Sequence, residues 1–212
     1  MESQGAARMR KDSRQELLRR LDELQHRIES PAFRHTTRST NTMNYWVFDY
    51  DPRQELEVRN RISYIQKKCA DSDEIHVLKI DLYERMVHHL EQNGYLDQCV
   101  EFEAEYGMQY LVHAIKNSLR ITADDNFMMK YITEIIGDEP AENTVVLLTG
   151  IGKCFPLLQG PEVFNQILYN MPSRYSHVPM VLFYPGTYTE QELIIFNEMK
   201  EDNYYRAYRI VR

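Results

Sequence analysis

At 212 residues, with 43% hydrophobic and 27% charged residues, the chain has the size and balance of one globular domain with one large core. No apolar run approaches the roughly 18 residues of a membrane span, no apolar signal region follows the polar, basic N-terminus, and three widely spaced cysteines, Cys69, Cys99 and Cys154, form no CxxC pair, which argues against a disulfide scaffold or structural zinc and suits a reducing, cytoplasmic setting. The net charge of -7 is uneven: residues 1–43 hold nine Lys/Arg and six Asp/Glu, the remainder 16 and 26, so the acidic body repels nucleic-acid backbones while the basic head could touch nucleic acid or an acidic protein surface.

Residues 1–12 read as a flexible leader and 13–212 as a single α/β domain. Ser13 and Glu16 have capping-box spacing, and Leu17, Leu18, Leu21, Leu24 and Ile28 follow at helical intervals up to Ser30-Pro31. Residues 34–44 are polar and loop-like, and 45–49 form a first strand. Asp51-Pro52 with Gln54 opens a helix whose apolar stripe is Val58, Ile62, Ile65 and Cys69. An acidic turn at 71–74 leads to a second strand at 75–80.

Residues 81–137 are helical throughout. Leu82, Met86, Val87 and Leu90 form one stripe, stopped by Asn93-Gly94; Met108, Leu111, Val112, Ile115 and Leu119 form another. Phe127, Met128, Tyr131, Ile132, Ile135 and Ile136 form a third, opened by a Thr122/Asp125 cap and closed by Gly137. A third strand, Thr144–Thr149, ends in Gly150-Ile151-Gly152. A short helix at 162–171, a fourth strand at 179–184, a last helix capped by Thr189 and Glu192 with Leu193, Phe196 and Met199 inward, and a fifth strand at 206–211 complete the chain. Strands separated by helices predict an α/β fold: a mostly parallel five-stranded sheet, Rossmann-like, flanked by helices, with a helical insertion between strands two and three.

Ligands of such sheets sit beyond the carboxyl ends of the strands. The rim candidates are therefore Asp49 and Asp51 after strand one, and Asp81 and Tyr83 after strand two. Thr149, Gly150 and Gly152 follow strand three, and Tyr184, Gly186 and Tyr188 follow strand four. After strand one, FDYDPRQE offers neither the glycines nor the lysine of a phosphate loop. Gly150-x-Gly152-Lys153 lacks the third glycine of a dinucleotide turn and reads more simply as a tight turn. Val77 to Asp81 resembles a magnesium-holding strand, but without a phosphate loop Asp81 is more simply a helix cap.

Glu84 and His88 lie one helical turn apart, yet no metal-ligand motif surrounds them. Cys154 beside the glycine turn could be reactive or merely a small buried residue. No catalytic motif is intact, so the expectation is a non-enzymatic chain with no cofactor and no metal.

Fifteen tyrosines are the compositional oddity. Tyr204, Tyr205, Arg206 and Tyr208 cluster near the C-terminus, and Tyr and Arg dominate binding hot spots; period-2 alternation would let one face pack inward and the other meet a partner. Arg19 and Arg20 lie on the basic N-terminal helix, which is either a solvated amphipathic helix or a docking element.

Four stretches read together carry a resemblance: WVFDYDPRQELEVRNRI (46–62), VLKIDLYERMVHHLEQNGYLD (77–97), VVLLTGIGKCFPLL (145–158) and PMVLFYPGTY with NEMKEDNYYRAYRIV (179–211). In this order, over nearly the whole chain from about Arg14, they resemble the BrxB family, small components of bacteriophage-exclusion (BREX) defence systems. The resemblance implies a non-catalytic adaptor or scaffold that blocks phage replication. It would bind the phosphatase-like protein PglZ and, through the assembly, the ATPase BrxC and the methyltransferase PglX, with nucleic acid met only indirectly and no membrane. A degenerate P-loop-like core that has lost its catalytic loop would suit the missing phosphate loop, as a fold-level analogy. One departure stands out. The family reads close to YPFLRSH after the glycine turn, whereas Gln159 and Pro161 here replace the Arg and His. Two other readings remain: a nucleotide-binding or nucleotide-processing enzyme using the 150–153 turn with Asp49 and Asp81, and nucleic-acid binding through residues 8–38.

Overall fold

The computed structural model describes residues 2–34, 44–71, 74–120, 127–189, 192–201 and 207–212. Helix α1 (Glu2–Glu29) and the short α2 (Pro31–Arg34) precede strand β1 (Tyr45–Tyr50), helix α3 (Glu55–Ala70) and strand β2 (His76–Asp81). The insertion holds α4 (Leu82–Gln92), α5 (Tyr95–Tyr106), α6 (Met108–Leu119) and α7 (Phe127–Ile136). Strand β3 (Thr144–Thr149), helices α8 (Ile151–Cys154) and α9 (Gly160–Asn170), and strand β4 (Met180–Tyr188) follow. Strands β5 (Leu193–Ile195), β6 (Met199–Glu201) and β7 (Tyr208–Arg209) end the chain.

Five strands form a parallel ladder in the order β2-β3-β4-β1-β7, and β5 and β6 extend β4 as an antiparallel hairpin. The sheet is therefore seven-stranded and mixed. Every residue of β1 and β3 is buried, as continuous apolar runs covered on both faces require. Alternation divides the side chains. Trp46, Phe48, Val145, Leu147, Val181 and Phe183 face α1 to α3, while Val47, Val146, Leu148 and Leu182 face the insertion, α8 and α9.

Most residues of the helical stripes expected from spacing pack inward, but Leu18 and Met108, expected in the stripes of α1 and α6, are 37% and 56% exposed. Leu17, Leu21, Leu24 and Ile28 of α1 are at most 2% exposed, each burial being worth about 1.5–3 kcal/mol. Val58, Ile62, Ile65 and Cys69 are the buried residues of α3. Gly94, at φ 69, ends α4, and Gly137, at φ 80, follows α7. The Thr122/Asp125 cap lies outside the described residues.

Three expectations are corrected. Ser13 lies inside α1, which begins at Glu2, so it is no N-cap; its Oγ accepts from Gln54 Nε2 at 3.2 Å. The expected last helix is instead the β5–β6 hairpin. Thr189 and Glu192, spaced like a cap, close the β4–β5 turn: Glu192 N donates to Thr189 Oγ1 at 3.1 Å and Thr189 N to Glu192 O at 3.0 Å. Phe196 and Asn197 have φ 55 and 60, the paired positive values of a hairpin turn that twists with its strands. Finally, β4 runs on to Tyr188 because β5 supplies it with a pairing edge, and the fifth parallel strand shrinks to the two residues of β7, registered with Trp46 and Val47.

Candidate functional site

The carboxyl ends of β1, β2 and β3 meet at a cleft of about 210 Å³ whose lining includes Tyr50, Glu55, Arg59, Lys79, Asp81 and Lys153. Asp81 is its centre. One carboxylate oxygen caps α4 by accepting from Tyr83 N at 3.1 Å and Glu84 N at 3.2 Å, which engages two of the helix's otherwise unpaired amides. The other accepts from Lys153 Nζ at 2.8 Å. Burial pushes the Asp81 carboxyl up, but the Lys153 hydrogen bond, the Glu84 amide and the charges of Lys153 and Lys79 outweigh it and hold the group below its ordinary value. Lys153 also lies 5.1 Å from the ring centroid of Tyr83, which is 38% exposed.

Both glycines of the turn have packing reasons. Gly150 sits at φ 83, and a Cβ there would collide with the Asp81 carboxylate. A Cβ on Gly152 would lie 2.6 Å from Pro185 Cγ and 3.2 Å from Phe196 Cε1. The turn thus lets Asp81 cap α4 and the hairpin tip close over α8. Thr149 is buried, with Oγ1 3.5 Å from Ile80 O. On the far wall Arg59 Nε donates to Glu55 Oε1 at 2.7 Å, and Tyr50 Oη donates to the other oxygen of Glu55. Burial, then the Glu55 charge, raises the Tyr50 hydroxyl well above its usual range.

Asp49 points away from this cleft into a second constellation. Its side chain is 9% exposed. Oδ1 accepts from Arg20 at 2.8 Å, and Oδ2 accepts from Arg209 at 2.7 Å and from Tyr188 N at 3.1 Å. Tyr188 is fully buried, donates its hydroxyl to Ala207 O at 2.8 Å, and its own carbonyl accepts from Arg209. Tyr184 is fully buried too. At Gly186 a Cβ would collide with Ile194 O, so this glycine permits the close approach of β5. These three candidates lie within β4 and hold the core and hairpin together. Asp51 caps the 3-10 turn Pro52–Gln54 and accepts from Arg53 Nε at 2.9 Å.

The basic candidates have intramolecular partners. Arg20 bridges to Asp49 with its guanidinium 4.9 Å from the Phe48 ring centroid. Arg19 donates to Glu16, Glu23 and the Arg212 carbonyl at 2.7–3.0 Å. Tyr208, 39% exposed, packs its ring 5.6 Å from Trp46. Tyr204, Tyr205 and Arg206 lie outside the described residues.

Sequence reasoning did not single out Glu55, Arg59 or Lys79. The i,i+4 spacing of Glu55 and Arg59 was the available signal; their facing of a strand-tip cleft depends on where α3 lands. Cys154 is fully buried, and burial followed by the Asp81 charge pushes its thiol up to about 12. Among the described residues no group of three His, Cys, Asp or Glu is arranged to hold a metal ion, and no helix is long and apolar enough to cross a membrane.

No solved structure matches the chain significantly. A curated relative from Bacillus cereus (strain H3081.97), described as BREX protein BrxB, is 36% identical over 192 residues, covering 91% of this chain and 96% of its own. One of the same description from Escherichia coli O9:H4 (strain HS) is 27% identical over 192 residues, covering 91% and 90%. The family model "BREX protein BrxB" matches residues 78–210. That span runs from β2 through the insertion and the glycine turn to the Asp49-binding Arg209, and the chain accordingly belongs to the BrxB family of BREX phage-defence proteins.

Proposed function

We propose that the chain is a non-catalytic, cytoplasmic adaptor or scaffold subunit of a BREX complex, with a PglZ-like protein as its first partner and BrxC and PglX reached through the assembly. The observation that carries this reading is the internal pairing of the strand-tip groups. Asp81 is committed to Lys153 and two helix amides, Asp49 to two arginines and a backbone amide, and both turn glycines to packing. A phosphate loop does the opposite, leaving amides and a lysine free for the ligand. The parallel core with its helical crossovers supports, as an analogy of fold, the idea of a nucleotide-hydrolase-like sheet without its phosphate loop.

The test is co-expression with a PglZ-like protein and other proteins of the same BREX system, followed by affinity capture and size-exclusion chromatography. A stable complex is expected, together with no ATP or DNA hydrolysis by the chain alone. Absence of association with every protein of the system counts decisively against the adaptor reading.

A second reading, nucleotide binding, is favoured by one feature: the cleft at the strand tips holds Lys79, Lys153 and Arg59. Calorimetry with ATP, GTP and cyclic nucleotides, with and without magnesium, separates the two; micromolar binding that a Lys153→Met variant abolishes would favour the nucleotide. Direct nucleic-acid binding through residues 8–38 has the least support, since Arg14, Arg19 and Arg20 all pair with carboxylates.

A further inference from the structure

Among the described residues, the outer side of the insertion is an uncovered apolar face. Helix α5 has no buried residue at all. Tyr95, Leu96 and Val100 are 37%, 40% and 70% exposed, and around the Gly107 corner Tyr106, Met108 and Tyr110 are 54%, 56% and 47% exposed. Helix α6 differs, since Leu111, Ile115 and Leu119 carry its opposite side into the core. The corner is an aromatic cluster: the Tyr106 and Tyr110 rings are 4.7 Å apart, and each meets Phe102, at 6.1 and 5.7 Å. Beside it an apolar cleft of about 150 Å³ opens between α4, α5 and α6, with Leu90, Cys99 and Ile115 in its wall. Exposed apolar residues scattered singly need no explanation; a run of them beside an open apolar cleft marks an interaction surface.

Charge selects the occupant. Asp97, Glu101, Glu103 and Glu105 are all exposed on α5, the helix has no Lys or Arg, and none of the four carboxylates has an ion-pair partner among the described residues. Such a face repels phosphate backbones and anionic lipid headgroups. A two-fold contact with a second copy would set carboxylates against carboxylates, because an isologous interface brings the same patch to both sides.

We propose that α5 and the Tyr106–Tyr110 corner dock a Lys/Arg-rich amphipathic helix of another protein of the same defence system. One apolar residue of that helix fills the α4–α5–α6 cleft, and its cations flank the four carboxylates. This deepens the adaptor reading and rests on it: it names a face, and the chemistry of what the face receives, apart from the Tyr/Arg-rich C-terminal region.

The experiment uses the full chain and the complex captured by co-expression with the PglZ-like protein, or with another protein of the same BREX system if that is what assembles. Hydrogen exchange compares free and assembled chain, and two double variants, Val100→Ser/Tyr110→Ser and Glu101→Lys/Glu105→Lys, change exposed side chains only; circular dichroism verifies their folding. Protection of amides 95–110 on assembly is expected. So is weakening of each double variant by about tenfold or more, with salt weakening the wild-type complex. A complex that leaves 95–110 unprotected and tolerates both variants overturns this surface and leaves the adaptor reading standing. If the chain assembles with no protein of the same BREX system, the adaptor reading falls and the surface falls with it. A wild-type homodimer in light scattering, lost in Val100→Ser/Tyr110→Ser, assigns the face to a second copy and overturns the proposal.

Discussion

Arg209 Nη2 lies 2.7 Å from Asp49 Oδ2 although 160 residues separate them in the chain. The contact ties the last strand, β7, to the first, β1, and Arg20 of α1 holds the other oxygen of the same carboxylate at 2.8 Å. A carboxylate this buried between two guanidinium groups is a structural clamp, so removing it strands two cations. Asp49→Ala is expected to lower stability by about 3–5 kcal/mol. Arg209→Met, at a more exposed partner, should cost less. Urea unfolding of both variants beside the wild type checks the order; equal stability of Asp49→Ala and wild type would remove the clamp from the account.

Gly150 and Gly152 separate the packing account of their turn from a ligand-cradle account. Gly150→Ala forces a side chain onto a backbone at φ 83 and against the Asp81 carboxylate, and it should cost more than the about 1–2 kcal/mol of left-handed backbone alone. Gly94→Ala, at φ 69 with no atom within 4 Å of the added Cβ, is the matched control and should show that backbone cost alone. Thermal melts of the three variants should rank Gly150→Ala below Gly94→Ala, with Gly152→Ala also destabilised by Pro185. A cradle that serves ligand alone would leave the melting temperature of Gly152→Ala unchanged.

The Asp81–Lys153 pair should give the protein a carboxylate-dependent stability. Because the folded-state pKa of Asp81 is held below its unfolded value, the contribution is fully present above the unfolded value, about 3.9, and is lost as pH falls through the folded one. Denaturation curves from neutral to acid pH should converge for wild type and Asp81→Asn at low pH and diverge above it. Parallel curves over the whole range would mean that the carboxylate is not stabilised by folding.

Cys154 should be inert in the native protein. With its thiol pushed up to about 12 and the side chain fully buried, only about one part in ten thousand is thiolate at pH 8. Cys99, half-buried beside the α5 cleft, should react first with a thiol reagent, with Cys69 and Cys154 following on unfolding. Mass spectrometry of partially labelled protein reads the order directly, and early labelling of Cys154 would restore it as a candidate nucleophile.

Spacing alone identified the parallel α/β core. Uninterrupted apolar runs such as 144–149 can be satisfied only when both faces of a strand are covered, and the 3.6-residue stripes of α1, α3, α4 and α6 mark the faces that cover them. Local pattern failed where pairing partners decide the outcome. The segment 189–199 carries a cap-like Thr189/Glu192 pair and helical spacing of Leu193, Phe196 and Met199, yet it forms a hairpin, because the free edge of β4 offers ladder hydrogen bonds and burial to Leu193 and Ile195. Of the rim residues, Asp81, Thr149 and Gly150 line the cleft at the strand tips, whereas Tyr184, Gly186 and Tyr188 lie within β4 and Asp49 turns to the arginines, and none of these partners was legible in the sequence. That Asp49 meets Arg209 and Arg20, that Lys153 reaches Asp81, and that the outer side of α5 is exposed among the described residues are matters of distance between segments far apart in sequence. One-dimensional periodicity fixes which side of an element is apolar, whereas only the assembled sheet decides which charged group stands opposite which, and which apolar face is left uncovered.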